Sequence, residues 1–332
     1  MKMLNVALIG CGVISDNHLA AILGNENAKL VALCDIRKER AEQKLSKYGI
    51  NANVYSDYIE MLNCEKLDVV HIATPHYLHA EMTLEALSRD INVFLEKPMC
   101  INNEEIERII SAEKESKGKI CVCFQNRFNP ATIYAKDLCD RDGGAITAFG
   151  SLFWERNAEY YGSDPWRGKI ATEGGGVMIN QAIHTIDLLC YFLGKPEKIC
   201  ATCANHSLKG IIEVEDTCEG VIEFSNGKRG NFYATNSFRN RDLLSFTVIT
   251  KNHIIEMRNF KLFIDDELIN LEKIDLPILG KACYGHGHKD VIDLFYSSLI
   301  LGTESPVTAQ SAQYALRTLL AAYKSNDEFV PV

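Results

Sequence analysis

The sequence predicts an α/β protein in which a doubly wound parallel sheet is followed by a second α/β domain with a large, mostly antiparallel open sheet. Over residues 1–124, apolar runs of strand length alternate with helical segments, a rhythm typical of βαβ units. Over residues 125–332, strand-like segments follow one another with few helices between them. That change of pattern indicates antiparallel pairing under a helical layer and sets the predicted domain boundary.

The elements follow from apolar periodicity. In the first domain the predicted strands are 4–9, 30–34, 67–73, a strand around Val93 and 120–124, and the predicted helices are 15–23, 37–48, 79–88 and 103–116. In the second, the predicted strands are 145–155, 197–206, 211–225, 228–238, 244–250, 253–257 and 260–264, and the predicted helices are 175–192, 288–301 and 309–323. Ser225-Asn226-Gly227-Lys228 predicts a hairpin turn.

Composition narrows the class of protein. A chain of 332 residues, 47% hydrophobic and 24% charged, is typical of a soluble protein of about two domains. The net charge of -9 provides no basic field for nucleic acid. No uninterrupted apolar run is long enough to cross a membrane, and the amino terminus enters a strand without the regions of a signal peptide. We therefore expect a cytoplasmic protein without nucleic-acid or membrane partners.

The twelve cysteines lie mostly inside apolar runs, as Cys34 and Cys190 do, which is typical of reduced core residues. The tightest pairs, Cys121–Cys123 and Cys200–Cys203, lack a second pair or a histidine at zinc-site spacing. No metal is predicted.

The first chemical signal is the segment Gly10-Cys11-Gly12-Val13-Ile14, which follows the first strand and opens a helix. Gly10 permits a tight turn, and Gly12 lets the backbone approach a pyrophosphate whose charge the helix amino terminus favours. Ser15 replaces the usual third glycine or alanine. We expect Gly10, Gly12, Val13 and Ile14 to bind a dinucleotide.

Asp35 at the end of the second strand indicates which dinucleotide binds. A carboxylate there accepts both ribose hydroxyls of NAD and repels the phosphate of NADP. The guanidinium group of Arg37 would tolerate the phosphate of NADP. The alternative is that Arg37 faces solvent. The alternative for Asp35 is a helix cap. The sequence favours NAD, with NADP as the second possibility.

Two more strand ends add candidate residues. Ala73-Thr74-Pro75 closes one strand and His79 opens the next helix, so this turn is expected near a nicotinamide ring, with plain turn and capping chemistry as the alternative. Glu96-Lys97-Pro98 follows a buried strand, where open α/β sheets build ligand sites. Pro98 restrains the backbone beside Lys97. The alternative for Lys97 is a solvated charge paired with Glu96.

These motifs, together with a later triple glycine and His184, resemble the Gfo/Idh/MocA oxidoreductases, named after glucose-fructose oxidoreductase and inositol dehydrogenase. The resemblance implies a Rossmann domain followed by an α/β domain whose open sheet often supports dimers or tetramers. It also implies that NAD(P) binds the first domain, at positions that include Ala73, Thr74, Pro75, His79, Glu96 and Lys97. It implies a polyol, sugar or sugar derivative as substrate.

The second-domain motif runs from Gly174 to Asp187. Asn180 and His184 are four residues apart and share a helix face. In the family pattern position 180 is often an aspartate that helps the histidine to move the hydroxyl proton. Asparagine can only hydrogen-bond, so proton transfer is expected to fall to His184, with Lys97 as its electrostatic partner. The alternative for His184 is a structural hydrogen bond to Asp187.

Five further residues complete the predicted pocket. Trp166 and Arg167 resemble a family segment that reaches over the nicotinamide or substrate, with a packed tryptophan and a surface arginine as the alternative. Tyr284 and His286 lie in a glycine-rich segment able to bend around a ligand. Arg127 is expected to contact cofactor or substrate, or to form an interdomain salt bridge.

The leading hypothesis is an NAD(P)-dependent dehydrogenase or reductase acting on a secondary alcohol of a sugar, glycoside or cyclitol. Hydride would pass between the alcohol carbon and nicotinamide, His184 would exchange the hydroxyl proton, and Lys97 and Asn180 would orient the oxygen. Two alternatives stay open. One is glycoside cleavage through transient oxidation by retained NAD, and the other is a non-catalytic NAD-sensing protein.

Overall fold

A computed structural model of the protein describes residues 3–238, 243–259, 261–271 and 287–332. The strands are β1 (Leu4–Ile9), β2 (Ala28–Cys34), β3 (Asn53–Tyr55), β4 (Val69–Ile72), β5 (Asn92–Leu95), β6 (Ile120–Val122), β7 (Thr147–Phe153), β8 (Pro196–Ala204), β9 (Thr217–Phe224), β10 (Arg229–Thr235), β11 (Leu243–Ile249), β12 (Ile254–Arg258), β13 (Lys261–Ile264), β14 (Glu267–Ile269) and β15 (Val330–Pro331).

The α-helices are α1 (Ser15–Leu23), α2 (Lys38–Tyr48), α3 (Tyr58–Cys64), α4 (His79–Leu87), α5 (Asn103–Glu115), α6 (Pro130–Arg141), α7 (Ala158–Gly162), α8 (Ile170–Glu173), α9 (Ile183–Leu193), α10 (Gly287–Leu301) and α11 (Ala309–Ala322). Short 3-10 helices span His76–Leu78 and Gln125–Phe128, and a π-helical turn, Met178–Ala182, leads directly into α9.

The chain divides into two units. Of the described residues, the first unit contains 3–100, 104–125 and 287–311, and the second contains the rest. The predicted division assigned all of 125–332 to one domain, whereas α10 belongs to the first unit, where it packs against α1. The sequence alone does not reveal that the chain returns to the first unit at α10, because the apolar pattern of α10 is that of any amphipathic helix.

The first unit is built on a six-stranded parallel sheet in the order β3-β2-β1-β4-β5-β6. The strand order reverses between β1 and β4, so the carboxyl ends of these two strands border a crevice where doubly wound sheets bind ligands. Val6, Val70 and Phe94, one on each of three central strands, are fully buried. Burial on both faces explains why these strands are continuous apolar runs. The predicted parallel sheet is confirmed.

The second unit is built on a nine-stranded sheet in the order β14-β13-β12-β11-β7-β10-β9-β8-β15. All its neighbours are antiparallel except β7 and β10, which confirms the predicted mostly antiparallel sheet. Helix α9 packs on β7 and β10. Gly150 of β7 and Gly230 of β10 make room for it, since a Cβ atom at either position would press on a side chain of α9.

Among the described residues, one helical stretch, 170–193, has the length and composition of a membrane-spanning helix, with a mean hydropathy of 1.2. The corresponding window is 83% buried inside the protein. The apolar composition is therefore that of a core helix, and it gives only weak evidence for a membrane.

One pair of cysteines departs from the expectation that the cysteines are mostly reduced core residues. Cys203 of β8 lies directly opposite Cys218 of β9, and the two form a disulfide. Adjacent antiparallel strands bring facing Cβ atoms within disulfide range, a juxtaposition that spacing along the chain did not reveal. Cys34, Cys121, Cys123 and Cys190 are buried and belong to no disulfide, as predicted. The cytoplasmic location stays a prediction.

Candidate active site

The glycine turn joins the end of β1 to the beginning of α1. Gly10 has a φ of +93°, and a Cβ atom there would collide with the carbonyl group of Ala73, so a side chain does not fit. At Gly12 a Cβ atom would meet no heavy atom within 4 Å. Val13 beside it is 65% exposed. Open space at Gly12 and the amino terminus of the nine-residue α1 fit the pyrophosphate of a dinucleotide.

Asp35 follows β2 and is buried. Its carboxylate accepts the N–H of Cys11 at 2.8 Å and the N–H of Arg37 at 2.9 Å. Because α2 begins at Lys38, with Arg37 in the capping position, Asp35 is not the helix cap that the alternative interpretation required. It ties the end of β2 to the glycine turn, which places a carboxylate where a ribose would lie. Arg37 is exposed.

His79 joins two strand ends. Its Nδ1 lies 2.6 Å from the carbonyl oxygen of Pro98 and its Nε2 lies 2.9 Å from that of Thr74. Burial lowers the pKa of His79, although both carbonyl groups favour its protonated form. The His79 ring thus lies between the turns after β4 and β5, and its neutral form donates to one of the two carbonyl groups. Contact of the cofactor with Ala73, Thr74, Pro75 and His79 stays a prediction.

Lys97 follows β5 in a turn that is otherwise buried. Of residues 93–100, all described, only Lys97 is not buried. The neighbouring Glu96 is buried, and its carboxylate lies 3.0 Å from Nε2 of His18 and 3.6 Å from Nε2 of His288. Burial alone would raise the pKa of Glu96, but these histidines hold it well below its usual range. Glu96 therefore anchors the turn from which Lys97 projects.

A buried chain of hydrogen bonds continues from Glu96 through His18. Nδ1 of His18 lies 2.8 Å from Nδ1 of His71, and Nε2 of His71 lies 2.7 Å from the hydroxyl of Tyr296. Burial lowers the pKa of His71 well below its usual range. Tyr296, His71 and His18 thus form a continuous line of hydrogen-bonded groups that ends at the carboxylate of Glu96. Sequence reasoning missed this network, although a histidine in the apolar strand β4 was a signal for it.

Cys123 completes the surroundings of Glu96. The possible metal-ligand atoms of Glu96, Cys123 and His288 lie within 4.8 Å of one another. Burial raises the pKa of the Cys123 thiol well above its usual range, which favours a neutral thiol. The absence of a metal stays a prediction.

In the second unit, the triple-glycine motif leads into a helix that is buried almost all round. Of residues 175–190, all described, only Asn180 and His184 are not buried. The four-residue spacing predicted that they share a face, and their common exposure agrees, although the turn around Asn180 is π-helical rather than α-helical. Extra residues in a helical turn are frequent at functional sites.

Asn180 is surrounded by polar and aromatic side chains. Its Nδ2 donates to the buried carboxylate of Glu173 and lies 3.4 Å from the hydroxyl of Tyr160. Arg167 donates to the same hydroxyl at 2.5 Å, and its guanidinium carbon lies 4.4 Å from the ring centre of Tyr160 and 4.6 Å from that of Trp166. The structure thus brings the predicted Arg167 and Trp166 together with Asn180. Sequence reasoning missed Glu173 and Tyr160.

The triple glycine is required by close packing. A Cβ atom at Gly175 would collide with the hydroxyl of Tyr323, and one at Gly176 with the backbone of Glu215. The Glu215 carboxylate accepts the N–H groups of Gly176 and Met178, each at 2.9 Å, and the hydroxyl of Tyr323 at 3.0 Å. A buried carboxylate therefore holds the amino-terminal end of the helix that carries Asn180 and His184, where the helix dipole favours it.

Glu215 should make stability depend on pH. Burial raises its pKa to about 7, against the hydrogen bonds that it accepts. A carboxyl group whose pKa is higher in the folded than in the unfolded state stabilises the fold at low pH, and this contribution is lost as pH rises through the folded pKa. We expect the unfolding free energy to fall between pH 5 and 8 by on the order of 3 kcal/mol from this group, measured by urea unfolding.

The variant Glu215→Gln should lose most of that slope, because the amide does not titrate. Glu219→Gln, an exposed change on β9, is the matched control and should keep the wild-type slope. Parallel pH curves for wild type and Glu215→Gln would contradict the assignment.

Arg127 forms an ion pair with Asp187 inside the second unit. Its Nε donates to Asp187 at 2.8 Å and its Nη2 at 2.5 Å, and both residues are buried. The alternative of an ion pair is therefore what the structure shows, although within one unit. Asp187, the partner considered for His184, instead holds Arg127. Tyr284 and His286, the other predicted substrate contacts, lie outside the described residues.

Comparison with known proteins identifies both units. Residues 4–124 match the oxidoreductase family with an NAD-binding Rossmann fold, and residues 135–256 match the GFO/IDH/MocA C-terminal domain. The chain is similar to Oxidoreductase P35 of Formosa agariphila, 26% identical over 301 residues, 84% of this chain and 89% of the relative. It is also similar to D-glucoside 3-dehydrogenase of Escherichia coli, 29% identical over 242 residues, 68% of each chain.

A solved structure extends the likeness to the whole fold. The WlbA dehydrogenase of Bordetella pertussis, in complex with NADH and UDP-GlcNAcA, matches with a TM-score of 0.87 and 27% identity, over 100% of this chain and 98% of that one. The six-stranded sheet and the glycine turn agree with the NAD-binding match. The chain therefore belongs to the GFO/IDH/MocA family of NAD(P)-dependent oxidoreductases acting on CH–OH groups, and its first unit contains the NAD-binding Rossmann domain.

Proposed function

We propose that this protein is an NAD-dependent dehydrogenase that acts on a secondary hydroxyl of a sugar, glycoside or cyclitol. The names of similar proteins support this substrate class, since one is a D-glucoside 3-dehydrogenase and another was solved with a nucleotide sugar. The observation that carries the proposal is the selective exposure of Lys97 in one unit and of Asn180 and His184 in the other. These three side chains have the chemistry that oxidation of an alcohol needs.

The residues of the first unit fit NAD. The amino terminus of α1 and the open backbone at Gly12 would hold the pyrophosphate, and the carboxylate of Asp35 would accept the ribose hydroxyls. NAD, when bound, supplies the acceptor for the hydride of the alcohol. We propose that the exposed Val13, with Ile14, lines the same site.

Proton transfer is assigned to the protein. We propose that His184 takes the hydroxyl proton of the substrate, because the imidazole titrates near neutral pH. The ammonium group of Lys97 stabilises negative charge that develops on the same oxygen. Asn180 orients the hydroxyl through a hydrogen bond but has no proton-accepting role at neutral pH.

The surroundings of Asn180 suit a sugar ring. Trp166 offers an aromatic face and Arg167 offers guanidinium donors for hydroxyls, next to Asn180. Tyr284 and His286 stay proposed substrate contacts. Arg127 is committed to Asp187, so we propose that it supports α9.

We also propose a homodimer or homotetramer through the open face of the second sheet. Strand register places Phe149, Tyr233, Ile254 and Leu268 on one face. Each is at least 36% exposed. Several exposed apolar residues on one face of an open sheet favour a protein interface.

The test is a screen of sugars, glycosides and inositols with NAD and NADP in parallel, which measures the absorbance of the reduced cofactor. We expect turnover of at least one of these compounds, faster with NAD than with NADP because the Asp35 carboxylate repels the additional phosphate. Reactions without sugar serve as controls. If the protein binds NADH and oxidises none of these compounds, the proposed function is wrong.

A further inference from the structure

Glu173 is a buried carboxylate that no sequence motif marked. It ends α8, and Gly174 follows it with a left-handed φ of +83°. The residue is 0% exposed. One carboxylate oxygen accepts the N–H of Gly168 and the other accepts Nδ2 of Asn180. Because both partners donate, the carboxylate of Glu173 is the acceptor in both contacts.

The amide of Asn180 is oriented by these contacts. Its nitrogen faces the Glu173 carboxylate and lies 3.4 Å from the hydroxyl oxygen of Tyr160. Arg167 donates to that hydroxyl oxygen at 2.5 Å. Rotating the amide by half a turn would direct its carbonyl oxygen at the carboxylate, where both groups can only accept. The two orientations of Asn180 are therefore strongly unequal in energy.

We propose that Glu173 is a positioning residue of the dehydrogenase reaction, because its buried carboxylate fixes Asn180 so that Oδ1, an acceptor, meets the reacting hydroxyl. The proposal rests on the proposed function, in which Asn180 contacts that hydroxyl. It adds the reason for the orientation of the Asn180 amide. Because Glu173 holds Nδ2, the amide presents its acceptor, Oδ1, to the O–H group of the substrate. The carboxylate also polarises the amide, which strengthens Oδ1 as an acceptor.

Burial separates this role from that of a general base. A base must come within hydrogen-bond reach of the proton that it removes, and the side chain of Glu173 is enclosed, whereas Asn180 is partly exposed. Glu173 therefore acts through Asn180. Its loss should disturb the alignment of the substrate more than the binding of NADH.

The test is a double-mutant cycle on the substrate that the screen identifies. Glu173→Gln should lower kcat about tenfold to a hundredfold, the value of a hydrogen bond to a charged group, with a smaller change in KM. In an Asn180→Asp background the same change should cost less than about threefold, because a carboxylate at position 180 accepts in either orientation. Glu173→Asp should recover part of the loss. Equal costs in both backgrounds would overturn the proposal.

A matched control and a second measurement separate this proposal from the function. Glu213→Gln removes an exposed carboxylate that accepts the N–H of Ile170 at the start of α8, and it should leave kcat and the melting temperature unchanged. NMR of the Asn180 side-chain amide, assigned by its loss in Asn180→Asp, should show slow exchange with water in the wild type and faster exchange in Glu173→Gln.

Each outcome of the two measurements decides one claim. Unchanged amide exchange in Glu173→Gln overturns the positioning role, whatever the activity. If wild type oxidises no sugar, the proposed function fails while the NMR result still decides whether Glu173 fixes Asn180. If Asn180→Ala keeps the wild-type turnover, Asn180 does not contact the reacting hydroxyl, and the proposed role of Glu173 is wrong.

Discussion

Lys97→Met and His184→Ala should each lower kcat about a thousandfold and leave a folded protein that binds NADH. As the hydride leaves the alcohol carbon, the hydroxyl must lose its proton, and in the proposed mechanism His184 accepts that proton. Without the Lys97 charge, the oxygen becomes a poorer acid and the developing negative charge is less stabilised. The measurements are steady-state turnover of the identified substrate and titration of NADH fluorescence.

Lys117→Met is the matched control for Lys97, because the Lys117 side chain is 90% exposed and belongs to the same unit. It should retain wild-type turnover. The double variant Lys97→Met/His184→Ala should be only slightly slower than either single variant, since residues that act on one proton are not additive. Losses that multiply would show that the two side chains act independently, and wild-type rates in either single variant would refute the assignment.

The features predicted well are those whose structure is determined by the residues of one short segment. The strand 4–9 and the glycines after it predicted β1, its turn and α1, and the structure places Gly10 against Ala73 as that turn requires. Asn180 and His184 likewise lie on an exposed face because a helical period fixes their relation. Local pattern determined these features, so one sequence was sufficient.

The features missed depend on contacts between distant segments. The strand β3 has three residues and the helix α3 has seven, so neither is long enough to show a clear apolar period, and tertiary packing decides them. The network from Glu96 to Tyr296 joins residues up to 225 positions apart. Glu215 lies 39 positions from Gly176. No rule of sequence spacing connects such pairs. A charged residue can be recognised as buried only when the partners that compensate its charge are known.

Three buried carboxylates hold the helical segment that carries Asn180 and His184. Glu215 accepts the first N–H groups of the segment, Glu173 holds Asn180 in its π-helical turn, and Asp187 pairs with Arg127 after His184. The hydrophobic effect is not directional, whereas hydrogen bonds have preferred directions and therefore constrain the position of the segment further. We infer that these carboxylates set the positions of the two partly exposed side chains.

Removal of either partner of the Arg127–Asp187 pair should destabilise the protein by about 3 to 5 kcal/mol. The side chains of Arg127 and Asp187 are only 10% and 1% exposed, and the contact is bidentate. A single variant such as Asp187→Leu or Arg127→Met leaves the other charge buried without its counter-ion, which is the largest cost that such a site can present. Urea unfolding at neutral pH measures the change.

The double variant Arg127→Met/Asp187→Leu should be more stable than either single variant, since it buries no unpaired charge and replaces the pair by apolar side chains. The control is the exposed pair of Arg141 and Asp137, whose side chains are 60% and 67% exposed; there Asp137→Asn should change the unfolding free energy by less than about 1 kcal/mol. A double variant less stable than both single variants would contradict this prediction, because it would show that each side chain stabilises the fold even without its partner.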